Sequence, residues 1–236
     1  YKGNGENIVI NGGSVSAKSN IGAGIGGGGY TGNGENITIN GGTIKTKAGI
    51  GAGIGGGERG LGSNITIKNG FVTADSAFGA GIGGGANGYG SNITIEKGSI
   101  TADSTSGAGI GGGANKYGEN ITIKNGSSIK ASSTFGAGIG GGEYGYGSNI
   151  TISNSLVTAS SKNGKDIGGG KNGDTSSNMT ISGGSVKAAK LGCQPKNDLK
   201  QEVYRCTIEN PEKAEVTIKT RTGQEWQWNP VNHSSL

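Results

Sequence analysis

The sequence predicts an all-β fold, a single-stranded parallel β-helix of about seven coils, each 28–29 residues long with three short strands. Three observations predict it. The phrase GAGIGGG occurs intact at Gly22–Gly28, Gly51–Gly57, Gly79–Gly85, Gly107–Gly113 and Gly136–Gly142, with a worn copy, GKDIGGG, at Gly164–Gly170. Successive copies start 29, 28, 28, 29 and 28 residues apart, a period in the range of stacked solenoid repeats. Each period also holds one N-I-T-I run and one run such as FVTA or SITA, both alternating apolar with polar residues. Alternation of period two over four residues, bounded by Gly and Asn, marks a strand and not a helix.

The first strand of each coil is the N-I-T-I run, starting at Asn7 (as NIVI), Asn36, Asn64, Asn92, Asn120, Asn149 and Asn178 (as NMTI). Alternation sends Ile37 and Ile39 inward and Asn36 and Thr38 outward. The second strand follows a short Gly-containing turn and starts at Ser14, Thr43, Phe71, Ser99, Ser128, Leu156 and Ser185. Its inward pairs are Val72 with Ala74, Ile100 with Ala102, and their equivalents. In GAGIGGG the inward pair is Ala52 and Ile54, so a coil holds about six apolar core side chains. The crossover rule for parallel strands favours right-handed winding. Coils ~4.8 Å apart give a rod core on the order of 35 Å long. The glycines are expected to adopt positive φ at corners and to leave GIGGG as a flat backbone face, nearly bare of side chains.

The same phrase spells G-x-G-x-x-G at Gly22, Gly24 and Gly27. A dinucleotide-binding loop needs a helix after those glycines. More glycine and a strand-like run follow instead, so the phrase is scaffold.

Outward columns carry the candidate sites. Tyr89, Tyr117 and Tyr146 precede their N-I-T-I runs by three residues, with Leu61 at the equivalent place one coil earlier. Stacked at coil spacing they form an aromatic strip, a candidate ligand-binding surface for sugar rings or a cover for a core corner. Asp75 and Asp103 fall at equivalent positions in TADS and lie about 5 Å apart on adjacent coils. Such a pair is a candidate metal site, with calcium the ion its oxygens suit, or a pair sharing a proton. Lys68, Glu96 and Lys124 stack with alternating sign, which suits cross-strand pairing. The N-I-T triplets are formal glycosylation acceptors, but a ladder of Asn side chains bonding neighbouring backbones is the expected role.

Composition bounds the rest. The chain has 236 residues with 54 Gly and 3 Pro, and its glycines lack the every-third-residue period of collagen. Net charge is +5, with lysines scattered and no basic stripe among aromatics, so nucleic acid is not an expected partner. No apolar run approaches 18 residues, and no membrane insertion is expected. One histidine, in the tail, leaves no histidine-dependent triad or zinc site in the repeats, so an enzyme is not expected. The opening YKGNGEN matches YTGNGEN at Tyr30–Asn36, which follows a GAGIGGG copy. The chain therefore reads as a monomeric rod within a longer protein. Residues 1–190 are read as the solenoid, with the worn sixth copy marking its end. Residues 191–236 are read as a small β-rich cap or the start of a further β module, in which VYRCTI and AEVTIKT are strands. Cys193 and Cys206 both lie there and either pair or stay free.

The combination G-A-G-I-G-G-G, G-x-G-x-N-I-T-I and G-x-V-x-A resembles the Gly-rich repeats of large secreted surface proteins of Firmicutes. It is similar in kind to bacterial carbohydrate-binding β-helices, one of which binds polygalacturonate and calcium. The resemblance covers about residues 1–190 and implies a bacterial, secreted or cell-surface setting. A non-enzymatic adhesin module binding glycan or host extracellular matrix along the side of the rod is the function expected, with the net charge of +5 favouring acidic glycans such as pectate or sulfated mucin chains. A purely structural stalk is the alternative, and a polysaccharide lyase or hydrolase the second alternative.

Overall fold

The computed structural model describes residues 2–173 and 176–203, and the backbone of two further strands at 216–219 and 225–228. The chain divides into two units, Tyr1–Val203 and Tyr204–Leu236. The first is a parallel β-solenoid. An alternating strand of four to six residues can hide only one face, and stacking turn upon turn hides it while pairing every backbone edge with the next coil.

First strands run over Gly34–Ile39, Gly62–Ile67, Gly90–Ile95 and Gly118–Ile123. Second strands run over Ser14–Ser19, Thr43–Ala48, Phe71–Ser76, Ser99–Ser104 and Ser128–Ser133. The third strand is only two residues in each turn: Ile25–Gly26, Ile54–Gly55, Ile82–Gly83, Ile110–Gly111, Ile139–Gly140 and Ile167–Gly168. In the sixth turn the first two strands fuse into Gly147–Ser161. A single strand, Ser177–Lys187, opens a seventh. Six turns thus hold all three strands where about seven coils were expected, because the seventh lacks the glycine phrase. Its place is taken by Leu191, which bridges in parallel to Ile167.

All pairings between turns are parallel and in register. Ile37, Ile65, Ile93, Ile121 and Ile150 form one column, and Val72, Ile100, Ile129 and Val157 another. The isoleucines of the first and third strands in the central turns are 0% exposed, as are Ala52, Ala80, Ala108 and Ala137. The six inward apolar positions per coil are therefore core, as alternation indicates.

Two details differ from the sequence reading. The GIGGG segments are buried and not a bare face. Backbone packs there on backbone: a Cβ at Gly81 would meet the carbonyl oxygens of Ala74 and Gly109 at 2.6 and 2.7 Å. Close approach, and not an open surface, is what excludes side chains. Second, the Asn of each N-I-T-I run has φ of 52–55° and sits at a break in the pairing ladder shared by neighbouring strands. Its amide bonds the next Asn and not a backbone group: Asn64 Nδ2 donates to Asn36 Oδ1 at 3.1 Å, Asn92 to Asn64 at 3.2 Å, and Asn120 to Asn92 at 3.1 Å. Asparagine is the side chain that tolerates the left-handed region while completing such a ladder.

Asp166 marks the end of the stack. At Gly53, Gly81, Gly109 and Gly138 a Cβ would collide with a carbonyl of the following coil. In the last full turn the following chain is Ala189–Lys190, and the Asp166 carboxylate accepts hydrogen bonds from the backbone N–H of Ser161, Ala189 and Lys190 at 2.7, 2.6 and 2.9 Å. In the second unit, Val216–Lys219 pairs antiparallel with Glu225–Trp228, so AEVTIKT does hold a strand. VYRCTI and Cys206 lie outside the described residues. Cys193 packs, half-buried, against the solenoid core.

Candidate functional site

Tyr89, Tyr117 and Tyr146 each stand just before a first strand, and the coil-to-coil ladder fixes them. Gly62, Gly90 and Gly118 donate their N–H to the carbonyls of Tyr89, Tyr117 and Tyr146 at 2.9, 3.2 and 3.1 Å. The backbone register therefore dictates that the three side chains form a column. Leu61 continues it, and Asn33 precedes Leu61, its Oδ1 accepting the Leu61 N–H at 3.0 Å.

The rings stack on one another. Tyr89 and Tyr117 have centroids 4.2 Å apart with planes 34° apart, and Tyr117 and Tyr146 have centroids 4.9 Å apart at 18°. Both faces of Tyr117 are thereby covered. At Tyr117 the flat face that the sequence offers to a sugar is therefore used within the column. Tyr146 is 38% exposed and the other two are half-buried. Burial first, then the charge of Glu119 and the neighbouring tyrosines, hold the Tyr117 phenol above its usual range. It stays a neutral donor and acceptor at physiological pH.

Lys116 completes the site and is the residue that sequence reasoning missed. Its Nζ donates to the Tyr89 hydroxyl at 3.1 Å and lies 4.6 Å from that ring's centroid. The signal was there: Lys116 occupies the place of Gly88 and Gly145 in otherwise matching loops.

Asp75 and Asp103 are brought together as expected, paired in register on adjacent second strands. Lys47 precedes Asp75 in the column and Ser132 follows Asp103, with the Ser132 hydroxyl donating to Asp103 Oδ1. Partial burial, then the Asp103 charge, push the Asp75 carboxyl up, against the pull of Lys47 and Lys45. Two carboxylates and one hydroxyl are fewer oxygens than the six to eight that calcium takes. Among the described residues no group of three or more His, Cys, Asp or Glu is arranged to hold a metal. In the charge column, Lys124 Nζ lies 3.5 Å from Glu96 Oε1.

Five segments, residues 8–29, 37–58, 65–86, 93–114 and 121–143, match the family model described as Beta helix repeat. The repeat resembles that family. No curated protein and no solved structure matches the chain. Each matched segment runs from the isoleucine after the ladder Asn to the residue after GAGIGGG. The family likeness therefore covers the scaffold of each turn. Tyr89, Tyr117 and Lys116 fall between the matched segments, and Tyr146 follows the last of them.

Proposed function

We propose that the protein is a non-enzymatic, secreted bacterial surface module, an adhesin-like β-helical rod that binds glycan or host matrix along one side. The observation that carries this reading is the column Tyr89–Tyr117–Tyr146 with the Lys116 ammonium against it. A saccharide chain running along the rod meets a phenol at each coil, ~4.8 Å apart, with ring edges for its C–H groups and hydroxyls for its own. At Tyr117 contact is along the ring edge, since both of its faces are covered by Tyr89 and Tyr146.

A glycan array on the intact protein tests it. Tyr→Phe at all three positions preserves the stack and removes the hydroxyls, and is expected to weaken binding about tenfold, as for a lost pair of hydrogen bonds. Tyr→Ala at all three should abolish it. Binding unchanged in both variants overturns the site.

A structural stalk is the second reading, favoured by how fully the outward Asn and Tyr columns satisfy themselves. It predicts no binding on any array. A lyase or hydrolase would place its chemistry, and calcium its contacts, at Asp75 and Asp103. Product release from pectin or hyaluronan, or a Tm raised by millimolar calcium, lost in Asp75→Ala with Asp103→Ala, is the outcome that reading requires.

A further inference from the structure

The outward side of the second strands is set by the scaffold only in direction, not in identity. Its fifth column reads Lys18, Lys47, Asp75, Asp103, Ser132, and its third column reads Ser16, Lys45, Thr73, Thr101, Lys130. The first two turns concentrate positive charge: Lys18 and Lys47 are in register on neighbouring strands, and Lys45 lies two residues from Lys47 on the same side. All three are exposed. They line a concavity of about 370 Å³ with Ser16, Ala17, Thr46 and Asp75. Pockets of this order hold a small ligand.

Like charges directly opposite each other across strands are unfavourable. Some outward columns relieve this, pairing Lys124 with Glu96 at 3.5 Å or Asn40 with Asn11 at 2.7 Å, whereas Lys18 with Lys47, like Asp75 with Asp103, sets like charges in register. Here three lysines meet one carboxylate, Asp75. The ion pairs among the described residues, Arg59–Glu58 and Lys124–Glu96, involve none of them. Other turns fill the same positions with Thr, Ser and Asp as well as with Lys130, so the fold does not require lysine there.

We infer that this trough binds an anionic sugar unit, the carboxylate or sulfate of an acidic polysaccharide, on a different part of the coil from the tyrosine column. The inference rests on the glycan reading above and adds the place on the coil that holds the anionic group of an acidic glycan. Three ammonium groups around a concavity of saccharide size supply point charges and hydrogen-bond donors for either anion. Ser16 offers a hydroxyl to the sugar, and Asp75 restricts the site by repelling a further negative group.

The test is calorimetric titration of the intact protein with an oligogalacturonate, a heparin-type sulfated oligosaccharide and a neutral cello-oligosaccharide of equal length. The acidic arms separate carboxylate from sulfate as the source of charge. At least one acidic probe is expected to bind more tightly than the neutral one, with affinity falling as salt rises. Combined Lys18→Gln, Lys45→Gln and Lys47→Gln should weaken that binding about tenfold, the equivalent of three exposed charge contacts, and flatten its salt dependence. Asp75→Asn should strengthen it. Circular dichroism and Tm establish that each variant is folded, and Lys47→Glu alone gives a single-site check in the same direction. If the lysine variants bind acidic probes as the parent does, or the neutral probe binds equally well, this inference falls and the glycan reading stands. If no oligosaccharide binds, both fall.

Discussion

Gly109→Ala is the sharpest test of how the rod is packed. The added Cβ would stand 2.6 Å from the Ala102 carbonyl oxygen and 2.7 Å from that of Gly138, where ordinary contact begins at 3.4 Å. Both neighbours are backbone, one in the same turn and one in the next, so no side chain can rotate away. Relief requires moving two ladders apart where Gly109 N–H bonds Ala137 at 3.1 Å and Ile110 N–H bonds Gly138 at 3.0 Å. Overpacking of a tight interior costs about 1–3 kcal/mol. Two weakened backbone bonds add about 1 kcal/mol each. The expected loss is therefore about 3 kcal/mol or more for a single methyl group. It is read as a shift in denaturant midpoint and as faster amide exchange at Gly81 and Ile110. A variant within about 0.5 kcal/mol of the parent, the range of an inert surface change, would refute the idea that backbone contact imposes glycine here.

Three further outcomes follow from the same columns. Thr46 Oγ1 is buried without a hydrogen-bond partner where other turns carry alanine, so Thr46→Val should raise stability by about 1 kcal/mol; an unchanged or lower Tm counts against it. Asn92→Ala loses amide bonds to Asn64 and Asn120 and forces alanine to φ near 53°; it should cost about 2 kcal/mol, and Asn92→Gly, free of the φ penalty, clearly less. Equal losses would show that φ is not the cause. Asp75 is held above its ordinary 3.8 by burial and by Asp103. The fold thus favours its protonated form, a contribution present below 3.8 and lost as pH rises through the raised value. Asp75→Asn should stabilise by a few tenths of a kcal/mol at pH 7 and by nothing at pH 3, compared by thermal unfolding; destabilisation at pH 7 would refute the sign.

The apolar columns were legible because alternation and a fixed period both report which residues face inward. Ile65, Ile67, Val72, Ala74, Ala80 and Ile82 needed nothing more. Alternation reports faces and not φ, so the left-handed Asn at each break in the ladder was hidden although its spacing was plain. Glycine is ambiguous in the same way: a bare surface and a crowded seam look alike in sequence, and only the neighbouring carbonyls show that GIGGG is crowded. Ser76, Ser104 and Ser133 could have been placed by parity with Val72 and Ala74. They are buried, and each hydroxyl donates to a glycine carbonyl, Gly51, Gly79 and Gly107, at 2.7 Å. Their polarity masked an inward position. For the candidate site, spacing gave the tyrosine column but not the orientation of its rings, which depends on how three large side chains share a ~4.8 Å step.

An in-register solenoid turns every position into a column, and that sorts scaffold from function. Where a column must satisfy itself, its residue is fixed: Asn for the amide ladder, glycine where carbonyls pass, isoleucine in the core. Asp166 is the exception in the glycine column: the chain that follows its turn is Ala189–Lys190, and its carboxylate accepts their backbone N–H groups. A ligand can be read only by columns that the scaffold leaves free. Two of these change composition along the rod. Leu61, Tyr89, Tyr117 and Tyr146 grow aromatic toward the C-terminal turns, and Lys18 and Lys47 give way to Asp75 and Asp103 along the second strands. Loss of glycan binding on removing them is the result that separates a binding rod from a spacer.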